Sequence, residues 1–133
     1  MKRVVVVDDD PDIRNLLADE LRYRGYSVIV AHNGSEALER LNGWTPDVIV
    51  LDLMMPVMDG WAFLEHYRDR AGHRSVPIIA VSAEADLRPG YEALGVTAFL
   101  RKPFELNELA NCIAQLTRAR DANVTPLLPI PQR

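Results

Sequence analysis

The sequence predicts a doubly wound α/β sandwich built on a five-stranded parallel sheet, and three observations carry that expectation. Short runs of valine and isoleucine recur without period-two alternation, as strands buried on both faces require. Between them lie segments whose apolar residues fall at helical spacing, and glycines stand where those segments stop. Five strand–helix repeats fit within about 120 residues, the length of one such domain.

The first strand is Val4–Val7, which runs straight into Asp8, Asp9 and Asp10. Asp10-Pro11 then starts a helix. The aspartate is its N-cap, and proline, lacking an amide hydrogen, suits the first turn. Ile13, Leu16, Leu17 and Leu21 continue that helix until Gly25. The second strand, Val28–Ala31, precedes a helix marked by Ala37, Leu38 and Leu41 that stops before Gly43. The third strand, Val48–Leu51, delivers Asp52. Asp59-Gly60 is read as a structural turn capping a third helix, whose stripe is Phe63, Leu64 and Tyr67 before Gly72. Ile78–Val81 forms the fourth strand and ends at Ser82.

The next helix has to fit within "SAEADLRPGYEALG", where Pro89 in a helix interior would cost ~3 kcal/mol or more. A short helix is therefore expected to begin near Pro89 and end by Leu94, capped by Gly95. Ala83–Arg88 becomes an irregular, mobile loop over the site. Ala98–Leu100 is the fifth strand and leads to Lys102-Pro103. The last helix carries Leu106, Leu109, Ala110, Ile113 and Leu116, with Arg118 and Arg120 complementing its negative end. From Asp121, "DANVTPLLPIPQR" has prolines and no caps. Residues 1–120 are thus expected to form one domain and 121–133 an extended or disordered tail.

Composition narrows the function. A net charge of -4 without a basic stripe argues against a nucleic-acid surface. Cys112 is the only cysteine, which excludes an internal disulfide and a cysteine-built zinc site. No signal-peptide core precedes the acids, and no apolar run approaches the ~20 residues of a membrane helix. The expected location is the cytoplasm, with no membrane partner. His32, His66 and His73 show no ligand spacing, and Trp44 and Trp61 are assigned to packing or surface.

In a doubly wound sheet, ligands collect at the carboxyl ends of the strands. Here those ends carry Asp8, Asp9 and Asp10, then Asp52, Ser82 and Lys102. Clustered carboxylates repel, and a hard divalent cation offsets that repulsion. Mg²⁺ takes oxygen ligands, keeps several waters and bridges carboxylates to phosphate. A metal held by Asp8, Asp9 and Asp52 beside Lys102 is suited to receiving a phosphoryl group.

The set "VVDDD", "LDLMMPVMDG", "VSA" and "KPF", in that order, resembles the receiver domain of bacterial two-component response regulators, over about residues 2–118. The resemblance implies a (βα)5 sandwich of flavodoxin-like type, here of the stand-alone kind. By position, it implies Asp52 as phosphoacceptor and Asp9 as direct metal ligand, with Asp8 acting through water. Met54 would complete the Mg²⁺ shell through its backbone carbonyl, with Mn²⁺ able to replace Mg²⁺. Lys102 would pair with the phosphoryl group, ahead of a typically cis bond to Pro103. Ser82 and Phe99 would form a switch, Phe99 turning inward once Ser82 moves to the phosphoryl oxygen. The implied donors are a sensor histidine kinase or a histidine phosphotransfer protein in a phosphorelay. The implied reader is a protein docking on the fourth helix, fifth strand and fifth helix. Beyond its own phosphorylation and dephosphorylation, no enzyme turnover is implied.

Three other readings fare worse. A haloacid-dehalogenase-type phosphatase needs a second aspartate where Met54 stands. A flavodoxin-like cofactor carrier needs a Ser/Thr/Gly phosphate loop where three aspartates stand. A receiver-like module that works without phosphorylation should have lost an acid or the lysine. Met54 and Glu84 flank the path of a hydrolytic water, and the interval from Ser82 to Lys102 is about two residues short of the family's usual length. Met54 and Glu84 keep the family's phosphorylated lifetime from carrying over to this chain, and the short interval agrees with a short fourth helix.

Overall fold

Each valine-rich run becomes a strand of one parallel sheet, and the helical stripes cover that sheet on both sides. The structure is a computed structural model and describes residues 1–70, 75–83 and 87–122. In chain order the elements are β1 (Arg3–Val7), α1 (Pro11–Tyr23), β2 (Ser27–Ala31), α2 (Gly34–Arg40), β3 (Val48–Asp52), α3 (Gly60–Arg68), β4 (Ile78–Ser82), β5 (Val96–Arg101) and α4 (Leu106–Asp121). The sheet order is β2-β1-β3-β4-β5, and every pairing is parallel.

Burial explains why the strands lack alternation. Val5, Val7, Ile49, Leu51, Ile78 and Ala80 pack with Ala37, Leu41, Phe63, Leu64 and Tyr67 of α2 and α3 and their flanks. Their neighbours Val4, Val6, Val48, Val50, Ile79 and Val81 pack with Leu17, Leu21, Leu109, Ile113 and Leu116 of α1 and α4. Both faces are core, so both parities must be apolar. Leu16 breaks the expected α1 stripe: it is 56% exposed. Among the described residues, no helix is long and apolar enough to cross a membrane.

Local chemistry sets the helix starts. Asp10 Oδ1 accepts from the amides of Asp12 and Ile13 at 2.9 and 3.3 Å, as its N-cap role requires. Asn33 accepts from Glu36 N–H and Asp59 from Ala62 N–H, each at 2.9 Å. At α4, the Glu108 carboxylate accepts from Glu105 N–H at 3.3 Å. Arg120 does more than complement the end of its helix: its guanidinium donates to the carbonyls of Pro46 and Asp47, tying α4 to the entrance of β3.

Two expectations need correction. The short helix from Pro89 to Leu94 is not formed. Residues 89–95 are successive turns, in which Tyr91, Ala93, Leu94 and Gly95 donate to the carbonyls three residues before them. Gly90 explains the failure, since its φ of +84° lies in the left-handed region and interrupts the right-handed path one residue after proline. The second correction concerns β5, which starts earlier than the apolar run suggested because Thr97 forms a bulge. Ile78 pairs with Val96 but Ile79 pairs with Ala98. The Thr97 hydroxyl donates to Gly95 O and accepts from Ile78 N–H. The extra residue puts Ala98 on the α1/α4 face and Phe99 on the α2/α3 face. Of the remaining expectations, Gly72, His73, Glu84 and the tail over 123–133 lie outside the described residues; α4 itself runs through Asp121.

Gly60, at the start of α3, sits against the end of β3. A Cβ there would lie 2.8 Å from both Asp52 O and Leu53 Cα. Because these are backbone atoms, the helix would have to retreat. Gly60→Ala should destabilise the fold by about 1–3 kcal/mol, read as a lower urea midpoint at unchanged slope. A midpoint equal to wild type would show that the contact is soft.

Candidate functional site

Register brings the polar residues together. Val7 pairs with Leu51, so Asp8 and Asp52 follow side by side on adjacent strands. Asp52 pairs with Val81, and Ser82 with Arg101, which places Ser82 and Lys102 at the same edge. Asp8, Asp52 and Ser82 are buried, at 3%, 4% and 1% exposure, whereas Asp9 is exposed.

Lys102 closes the cluster. Its ammonium donates to Asp8 Oδ2 at 3.1 Å and to Asp52 Oδ2 at 3.2 Å. The other oxygens are held by the backbone: Asp10 N–H donates to Asp8 Oδ1 at 2.9 Å and Met54 N–H to Asp52 Oδ1 at 3.0 Å. Lys102 N–H donates to Ser82 O at 2.9 Å, fixing the strand that carries the ammonium, and the Lys102–Pro103 bond is cis, as expected. Met54 thus engages Asp52 through its amide, while its side chain is 58% exposed. Phe99 already lies inward at 4% exposure, the position expected of it only after phosphorylation.

The carboxylates suit a hard cation. Asp8, Asp9 and Asp52 each offer an oxygen, and these atoms lie within 4.8 Å of one another. An all-oxygen donor set fits Mg²⁺ better than a softer metal.

Burial raises the pKa of Asp52, and the nearby Asp8 charge adds to this. The Met54 amide and Lys102 offset only part of the rise. For Lys102, burial acts to lower the value, but Asp8 and Asp52 together outweigh it, so the net shift is upward and the ammonium is kept charged. Sequence reasoning passed over one contributor. Arg14 is only 7% exposed, and its guanidinium donates to Asp8 O at 3.0 Å. An arginine among helical apolar residues reads as surface, so no sequence signal marked it.

Comparison with known proteins agrees with this geometry. Residues 4–114 match the response regulator receiver domain family. Transcriptional regulatory protein PrrA of Mycobacterium leprae is 41% identical over 126 residues, covering 92% of this chain and 53% of that protein. The chain spans about half the length of the curated relatives it matches. The receiver domain of Francisella response regulator 1452 superposes with a TM-score of 0.80 at 32% identity, covering 90% of this chain and 99% of that one. Thermotoga maritima TrrA, solved in complex with Mg²⁺-BeF, gives a TM-score of 0.76 at 33% identity, with coverage of 87% and 99%.

The raised Asp52 pKa has a stability consequence. A carboxyl with a higher pKa in the folded chain binds its proton more tightly there, so stability is greatest below the unfolded value. It then declines as pH rises through the folded value. In EDTA, Asp52→Asn should therefore raise the melting temperature by a few degrees at neutral pH. The gain should shrink as pH falls below the ordinary carboxylate range. An equal gain at both pH values would assign it to packing.

Proposed function

Because the chain belongs to the response regulator receiver domain family, we propose that Asp52 accepts a phosphoryl group from a sensor histidine kinase or a histidine phosphotransfer protein. The observation that carries this reading is one ammonium, Lys102, bridging Asp8 and Asp52 inside a group of three convergent carboxylates.

The Met54 amide fixes Asp52 Oδ1 and leaves Oδ2, on the Lys102 side, oriented for attack. That oxygen forms a bond to phosphorus as the bond from phosphorus to the donor imidazole nitrogen breaks. The electron pair stays on the imidazole, which takes up a proton, and Asp52 becomes an acyl phosphate. Lys102 exchanges its carboxylate partners for the phosphoryl oxygens and neutralises their charge. Asp9, Asp8, Asp52 and the Met54 carbonyl would hold Mg²⁺, which supplies further neutralisation of the equatorial oxygens when bound. Water later attacks phosphorus, releases inorganic phosphate and restores the carboxylate.

The domain has no substrate besides its own phosphoryl group, and it works in the cytoplasm. Its output is a docking change. Ser82 adjusts toward the phosphoryl oxygen, and since Phe99 is already inward, the turns over 89–95 carry much of the response. The reader is a protein that contacts these turns, β5 and α4.

The donor approaches beside Lys102, where an apolar groove lined by Ile13, Leu16, Leu17, Pro103, Phe104 and Leu106 adjoins the site. Its exposed Leu16 suits the apolar side of a phosphohistidine-bearing helix.

With Mg²⁺ and acetyl phosphate, intact mass should rise by one phosphoryl group, and the adduct should be labile to hydroxylamine. Asp52→Asn should abolish it, because an amide is not a nucleophile. Labelling of that variant at the wild-type rate would refute the assignment. Leu16→Glu should slow transfer from a phosphorylated histidine phosphotransfer protein by about tenfold, yet leave acetyl phosphate labelling intact. Equal slowing with both donors would place Leu16 in the chemistry instead of the docking.

A further inference from the structure

Arg14 is a buried cation in an unusual setting. Its side chain descends from the first turn of α1 and is 7% exposed. Among the described residues, no carboxylate lies within 4.0 Å of its guanidinium. Leaving a charge in the interior without an ion-pair partner is costly, so its hydrogen bond matters more than usual. That bond goes to Asp8 O at 3.0 Å and is itself buried.

The carbonyl of Asp8 belongs to the peptide unit that joins Asp8 to Asp9. Asp8 N–H is already fixed by Ala31 O of β2 at 3.1 Å. β2 ends at Ala31, so no further strand amide continues the ladder to hold the carbonyl. Arg14 takes that place. Anchoring the oxygen of this peptide unit restrains ψ of Asp8 and φ of Asp9, the two torsions that aim the paired carboxylates.

We infer that Arg14 is a positioning residue of the acidic site, clamping the Asp8–Asp9 peptide so that both side chains converge on the cation position. The inference rests on the metal-site reading given above. Supporting groups of this kind alter metal affinity by about 10–100-fold when removed. A guanidinium suits the task because it stays charged and its planar fork loses little freedom on bonding.

The test uses the full chain and Mg²⁺ alone, with affinity measured by calorimetric titration and thermal unfolding followed separately in EDTA. Arg14→Met keeps the aliphatic stem and removes the donors. It should weaken Mg²⁺ binding about tenfold. Acetyl phosphate labelling should then need correspondingly more Mg²⁺ while reaching a near-wild-type rate at saturation. Arg14→Lys, which can reach toward the same carbonyl with a single ammonium, should recover part of the affinity. Wild-type affinity in Arg14→Met overturns the inference even if the melting temperature in EDTA falls, because that pattern is packing alone. Should Arg14→Met fail to fold, NMR of the wild-type chain decides the matter. The Arg14 side-chain resonance should shift with Mg²⁺ in step with the Asp9 amide, and an unresponsive Arg14 overturns the inference. Asp9→Ala serves as the control for the reading beneath it. If Mg²⁺ binds that variant as tightly as wild type, the metal site itself is misplaced. If Asp9→Ala loses binding and Arg14→Met does not, only the role of Arg14 fails.

Discussion

Like charges held close together are the constraint around which this molecule is organised. Asp8 and Asp52 are almost wholly buried at the carboxyl ends of neighbouring strands, Asp8 just past β1 and Asp52 last in β3, where their repulsion is poorly screened. One ammonium, Lys102, touches both, and two backbone amides take their remaining oxygens. Each compensating group arrives from a different element, so the cluster tolerates itself only when β1, β3, β5 and the loops after them are correctly assembled. The site and the fold are therefore mutually dependent.

The sheet supplies the rigidity this arrangement needs. Its strands are apolar on both faces and covered by helices on both, so their carboxyl ends have little freedom to separate. The close approach of Gly60 to Asp52 O and Leu53 Cα tightens the same edge from below. Asp52, the proposed phosphoacceptor, is thus carried at the end of a strand buried on both faces. The segment proposed to respond, residues 89–95, has turn hydrogen bonds in place of a helix, with Tyr91 and Leu94 packed partly buried against the core.

Much of this was legible in the residues. The unalternating valine runs announced strands buried on two sides, and Asp8, Asp9, Asp52, Ser82 and Lys102 fell where a parallel sheet gathers its functional groups. The fate of the fourth helix is not legible there, because Pro89 permits a helix start and only the left-handed φ of +84° at Gly90 interrupts it. Arg14 was missed for a different reason. Its importance depends on where a neighbouring strand ends and leaves a carbonyl to be held, and no local pattern encodes that. Phe99 is expected as a switch aromatic that turns inward, and its buried position depends on a bulge that apolar spacing could not reveal.

That bulge makes strand length a form of information, much as a reading frame is in a message. Thr97 occupies one position in β5 without a partner of its own in β4. Every residue after it is assigned to a face by counting from it. Removing Thr97 itself would restore a regular ladder, with Val96 opposite Ile78 and Ala98 opposite Ile79, and leave both faces as they are; pairing Thr97 with Ile79 instead would offer Ala98 to α2 and α3 and Phe99 to α1 and α4. Alignment of this chain with its relatives across β5 therefore has to be anchored on the paired residues on either side of Thr97, because a gap set against Ala98 would equate the unpaired residue with one that faces Ile79.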